Sequence, residues 1–314
     1  MAPPMAVAAV ADDIVYENAD RAKRIAPVEI IRSDILKGIG LVIASTLFFS
    51  AGDVASKITG ATIPPVEVTW FRYIVFLALA VPLSFANNGL RAFKTRRPGM
   101  HIVRAIGLCG ASITFIFALR YMQPSEATAI NFLSPLFITL LAVPFLGETL
   151  TLPRLLSALV GFLGVLLIVR PGSDTFQMAA LYPVATAGSW AIAMIATRKI
   201  TDDRPDVTMA WTAVVGFTIL SVLVPIDWRT PDFRELWIGL LAGVLSLIGQ
   251  ALVVMAYRKA EASLLAPFAY AQLIFAGGMG YIVFGVAPGP WTLIGGVIIA
   301  ASGIYSAKRE TRAS

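Results

Sequence analysis

The chain has 314 residues, 57% of them hydrophobic and only 14% charged, with a formal net charge of +6. A water-soluble domain of this length covers its core with charged side chains, and so few charges cannot make that coat. One cysteine and one histidine exclude a disulfide framework and a His/Cys metal set. The basic residues flank apolar runs rather than forming an aromatic-basic stripe, so the positive charge does not imply a nucleic-acid partner.

Residues 1–36 read as a polar tail, with Asp12, Asp13, Glu17 and Asp20 ahead of the first basic cluster, unlike a secretory leader. Ten apolar stretches follow. The first five are predicted as helices near 38–58, 68–86, 101–120, 126–146 and 153–170. A second set is predicted near 178–197, 207–225, 236–256, 262–285 and 290–307. These runs exceed the roughly ten residues of a barrel strand, and in lipid a helix satisfies its backbone within one segment. Turn chemistry separates them, as at Thr62-Ile63-Pro64-Pro65, Arg170-Pro171-Gly172-Ser173 and Ala287-Pro288-Gly289-Pro290. The fold class expected is an all-α polytopic membrane protein with ten transmembrane helices.

The first helix carries a polar cluster, Ser50, Asp53 and Lys57, in otherwise apolar surroundings. Asp53 and Lys57 are four residues apart and share a helix face. They are read either as a vestibule for a zwitterion, with Asp53 toward an ammonium and Lys57 toward a carboxylate, or as a structural ion pair. Arg72 is read as an interface anchor, with substrate-carboxylate binding as the lesser reading, Arg120 as a structural residue at a helix end, and Glu126 as a helix-start cap. Asn131, Gln250 and Gln272 lie deep in apolar helices, where each needs a packed partner or a solvated cavity. Tyr182, Trp190 and Tyr270 are candidates for stacking on a planar ligand, with Trp190 placed near the middle of its helix. Pro135 and Pro144 are expected to interrupt the fourth helix and Pro267 the ninth, either as kinks or as gating points.

Alternating the connectors from a cytoplasmic N-terminus leaves six basic residues outside: Lys57, Arg72, Arg120, Arg170, Arg229 and Arg234. The other nineteen fall on the cytoplasmic side, which predicts both termini inside. The spans divide five and five: a first repeat over 37–171, a connector at 172–177, a second repeat over 178–307 and a tail at 308–314. An odd number of spans per half sets the halves in opposite orientations, the inverted-repeat plan of alternating-access carriers.

Several short motifs occur in a telling order: Ala118-Leu119-Arg120-Tyr121, Ser125-Glu126-Ala127-Thr128-Ala129 and Ser134-Pro135-Leu136-Phe137. Leu146-Gly147-Glu148-Thr149-Leu150 and Gly161-Phe162-Leu163-Gly164-Val165 follow. Over about 38–307 the chain resembles the drug/metabolite transporter superfamily, with two EamA-type domains. The second half departs from the pattern, with Gly285-Val286-Ala287 where a Gly-Glu turn belongs. With Phe48-Phe49-Ser50-Ala51-Gly52-Asp53, the first helix looks most like bacterial aromatic amino-acid exporters. The resemblance implies a secondary carrier in a bacterial inner membrane, as a monomer or weak homodimer among lipid. Its substrate is expected to be an amino acid, with another small metabolite or drug as the alternative and a non-transporting scaffold as a further one. The chain shows no nucleotide-binding motif and no catalytic constellation, so neither an enzyme nor a cofactor is expected.

Overall fold

The computed structural model describes residues 34–147, 152–170, 178–200, 203–257, 259 and 265–313. Residues 1–33, the Glu148 turn and the connector expected at 172–177 lie outside the described residues. Everything described is helix, turn or short connector. The first half contains α1 (Asp34–Gly60), α2 (Pro65–Asn88) and α3 (Pro98–Tyr121), then α4 (Pro124–Asn131), α5 (Ser134–Leu146) and α6 (Leu152–Val169). The second contains α7 (Leu181–Arg198), α8 (Pro205–Leu223), α9 (Phe233–Tyr257), α10 (Ala271–Phe284) and α11 (Pro290–Ala313). Among the described residues, seven helical segments are long and apolar enough to cross a membrane, counting α4 and α5 as one. Three shorter apolar segments lie in α6, at Phe268–Phe284 and in α11.

Proline sets many of the starts. Pro65, Pro98, Pro124, Pro135 and Pro205 each occupy the first turn of a helix, where a missing N–H costs nothing. Pro135 therefore opens α5 rather than interrupting it. The break lies just before it, at Phe132 and Leu133, where the backbone leaves α-helical hydrogen bonding. Pro144 does sit inside α5. Pro267 falls in the first turn of a 3-10 segment, Ala266–Tyr270, that leads into α10. Both α5 and α10 stop at a glycine in the left-handed region, Gly147 and Gly285, each at φ 71°. A side chain there would clash with the following carbonyl, which is why glycine caps both helices. Glu126 caps α4 by accepting the Gln123 N–H at 3.2 Å.

Helix α2 packs on α8 and α9, α3 on α7 and α8, α4 on α10, and α6 on α11. Small residues let these pairs approach closely, as where Gly107 of α3 meets the backbone of α7 at Ser189. Outward faces are apolar: Ile282 is 80% exposed, Val222 70% and Val297 69%. Apolar surface on this scale is what lipid covers in a polytopic membrane protein.

Polar ties hold the two ends of the bundle. At one end Glu67, at the start of α2, accepts the Arg229 N–H at 3.2 Å, and the Arg229 guanidinium reaches the Thr62 carbonyl. At the other, His101 of α3 contacts Asp203 in the α7–α8 connector at 2.8 Å, and Thr95 donates to the same carboxylate oxygen at 2.6 Å. The imidazole is fully buried and stacks on Trp211 at 5.6 Å. Burial alone would raise the Asp203 pKa, but the Thr95 and His101 hydrogen bonds and the nearby Arg97 charge hold it below the usual carboxylate range. A lowered folded-state pKa stabilises the protein at neutral pH, and this contribution is lost as pH falls through that lowered value. Replacing Asp203 with asparagine is expected to lower Tm by several degrees at pH 7, and by progressively less below pH 4. A pH series of thermal melts in detergent checks this.

Candidate functional site

A polar cavity lies where α1, α2, α3, α4, α7, α8, α9 and α10 converge. Its volume is about 210 Å³. Each helix supplies one or a few side chains, because one stripe per helix faces the bundle centre. Asp53 comes from α1, Arg72, Tyr73 and Phe76 from α2, Ser112 and Phe115 from α3, and Asn131 from the last residue of α4. Thr186 and Trp190 of α7, Thr212 of α8, Ser246 and Gln250 of α9 and Gln272 of α10 complete the polar lining. The site thus combines two opposite charges, three carboxamides, several hydroxyls and an aromatic wall.

The charges are held by neighbours rather than by each other alone. An Arg72 Nη donates to the Ser246 hydroxyl at 2.8 Å, and that hydroxyl spends its own proton on the Ala242 carbonyl at 2.7 Å. Ser246 is therefore a fixed acceptor, pinned further where Gly52 leaves room for it. Asp53 accepts a long hydrogen bond, 3.4 Å, from the Gln272 amide. The carboxylate and the Arg72 guanidinium attract one another across the site. Buried charges of opposite sign in one cavity avoid the cost that either would carry alone in hydrocarbon. Among the described residues, the Asn131 Oδ1 is buried with no hydrogen-bond partner.

Six residues singled out in the sequence line this cavity: Asp53, Arg72, Asn131, Trp190, Gln250 and Gln272. Ser50 lies one turn from Asp53, fully buried, with its hydroxyl 3.4 Å from the Gln272 carbonyl. Lys57 is placed elsewhere. Its ammonium donates to the Leu119 carbonyl at 2.7 Å and to the Met122 carbonyl, and it lies 5.4 Å from the centre of the Phe284 ring. It caps the C-terminal end of α3, where the helix leaves carbonyls without intrahelical donors. The charge facing Asp53 is consequently Arg72, not Lys57. Replacing Lys57 with methionine is expected to cost about 2 kcal/mol of stability by orphaning those carbonyls. Ligand affinity should be unchanged in the folded fraction, which thermal melts paired with binding measurements check.

Tyr182 stacks on Phe117 at 5.3 Å and on Tyr121 at 6.0 Å, outside the central cavity. Tyr270 packs against Phe132 with ring centres 4.7 Å apart and planes tilted by 36°, and lines a second, larger and mainly apolar cavity of about 410 Å³ between α1, α4, α10 and α11. Ile274 and Val297 on its walls are 75% and 69% exposed, so this cavity opens onto lipid-facing surface. The smaller cavity is the more polar of the two.

The sequence favours Arg72 as an interface anchor over a substrate-carboxylate group, and the structure places it in the cavity instead. The expected second helix began near residue 68, which put Arg72 at its edge. The helix instead starts at Pro65, placing Arg72 two turns inside. The Pro64-Pro65 pair was the available signal, since proline favours the first helical position.

Residues 36–170 and 177–306 each match the EamA-like transporter family. The chain belongs to that family. Similar relatives include an S-adenosylmethionine uptake transporter of Rickettsia conorii, 30% identical across 88% of this chain and 95% of that protein. A riboflavin transporter of Brucella anthropi is 29% identical across 87% and 99%. A pseudopaline exporter of Pseudomonas aeruginosa is 27% identical across 86% and 95%. A crystal structure 18% identical in sequence superposes with a TM-score of 0.63 over 88% of this chain and 98% of that one, which shows a shared fold. The transporter therefore moves a small solute across a membrane and is not an enzyme. These relatives are named for solutes other than the aromatic amino acids expected from the first helix.

Proposed function

We propose that the transporter is a secondary carrier for a small polar metabolite bearing a planar ring, taken up in the central cavity and moved by alternating access. The observation that carries this reading is a cavity combining Asp53, Arg72, Asn131, Gln250 and Gln272 with Trp190 and Phe115. Polar groups replace the water lost by a solute head, and the aromatic walls take a ring. The names of the relatives support solutes of the S-adenosylmethionine or riboflavin kind. A second reading, export of aromatic amino acids, is favoured by the modest 210 Å³ volume and the same aromatic wall.

Two inverted five-helix halves are the proposed machinery. In support, α2 packs on α8, α6 on α11 and α4 on α10, so second, fifth and fourth spans each meet their counterparts. The fourth span of each half is also broken near its start and ends on a left-handed glycine. The breaks before α5 and α10 are the proposed hinges, with Pro135 and Pro267 holding their first turns. The nineteen-to-six division of basic residues supports cytoplasmic termini in a bacterial inner membrane.

Purified protein in liposomes tests the reading. Labelled S-adenosylmethionine, riboflavin and phenylalanine are offered, with empty liposomes as control. Flux of at least one without chemical change is expected. Movement of phenylalanine alone favours the aromatic amino-acid reading, and no flux of any of the three overturns the carrier assignment at this site.

A further inference from the structure

The two charges in the central cavity are arranged as separate poles, each with capacity left over. Arg72 presents five N–H donors, and among the described residues one bond is made, to Ser246. Ser246 cannot turn to offer its proton, because Ala242 already holds it. This orients the guanidinium and leaves the rest of its donor fork to the cavity. Among the described residues Asp53 receives a single long bond, from Gln272, so its carboxylate oxygens retain lone pairs for the cavity. The Asn131 Oδ1, at the broken end of α4, is a buried acceptor without a donor among the described residues. An unpaired buried acceptor carries a desolvation penalty that a ligand donor would remove.

We propose that the cavity recognises an α-amino-acid head, its carboxylate held by the free donors of Arg72 and its ammonium by Asp53 and the Asn131 Oδ1. This rests on the carrier reading above and narrows it to substrates with both groups on one carbon. The guanidinium fork matches a carboxylate in plane and spacing. An ammonium has three donors and meets two acceptors here, one of them charged. Because Asp53 and Arg72 offset each other, the head enters as a neutral zwitterion without leaving either cavity charge in excess. Trp190 and Phe115 then face whatever ring the rest of the molecule carries.

The test uses the full chain in liposomes and compares molecules that differ by one pole. S-adenosylmethionine is set against its decarboxylated form, and phenylalanine against phenethylamine and 3-phenylpropionate, each as a competitor of labelled flux. Riboflavin, which has neither group, is the control. The wild type should prefer each complete head over its truncated partners by about 10-fold or more. Arg72→Gln should erase the preference tied to the carboxylate while keeping the preference tied to the ammonium. Arg72→Lys should restore part of it, which separates recognition from a folding defect. Equal competition by intact and truncated molecules, or an Arg72→Gln protein that still selects for the carboxylate, overturns the proposal. Flux of riboflavin alone overturns it while leaving the carrier reading intact, and absence of all flux removes both.

Discussion

Gly295→Ala is expected to disrupt the α6–α11 pair and to cost about 3 kcal/mol, at the high end for an added methyl group. A Cβ at Gly295 would lie 2.5 Å from the Gly164 carbonyl oxygen and 2.5 Å from Ile168 Cγ1. The isoleucine can rotate, but the carbonyl oxygen belongs to the backbone of α6 and moves only if the helix does. The facing position is equally tight: a Cβ at Gly164 would stand 2.9 Å from the Gly295 carbonyl and 2.9 Å from Ile299. In lipid, helix pairs depend on close packing because the surroundings are as apolar as the side chains. Gly296→Ala supplies the control on the next residue, where the nearest atom would be Leu273 at an ordinary 3.6 Å. Thermal melts in detergent should show a large fall for Gly295→Ala and little change for Gly296→Ala. Equal melting temperatures would show that the seam does not hold the halves together.

Asp53→Asn is expected to lower transport by about 100-fold, through two separable effects. The cavity loses its anionic pole, and Arg72 keeps a positive charge in the bundle centre with no carboxylate beside it. Leaving one member of a buried charge pair costs about 3–5 kcal/mol. A double variant, Asp53→Asn with Arg72→Gln, removes both charges and should regain much of the lost stability. Transport should remain absent in the double variant, because neither pole is available to a solute. Melting temperature and flux measured on wild type, both single variants and the double variant form a complete cycle. Recovery of flux in the double variant would mean that the charges serve only each other.

The helical architecture was legible because lipid imposes a simple rule on the chain. Runs such as 101–120 and 207–225 are too long and too apolar to be anything but spanning helices; the first lies within α3, and the second within α8 but for two residues in the 3-10 turn that follows. Five of the cavity residues were visible for a related reason. Asp53, Asn131, Gln250 and Gln272 are costly in hydrocarbon, so each needs a polar environment, and Trp190 lies mid-helix where an interfacial anchor does not belong. Lys57 met the same criterion yet caps α3. Polarity in a membrane helix announces that a partner exists, but the partner can be a helix terminus 62 residues away as readily as a solute.

Residue order and hydropathy by themselves determined that the chain is helical and polytopic, because those properties follow from local backbone chemistry in lipid, while the resemblance of its motif series marked the two EamA-type domains. The tertiary structure alone decided which polar groups share a cavity. Arg72 and Asp53 share the cavity because α1 and α2 converge on α9, and the fixed Ser246 hydroxyl that holds Arg72 lies 174 residues further along. That arrangement depends on the rotation of each helix about its axis, which is set by glycine contacts and packing between distant segments rather than by any one segment's own sequence.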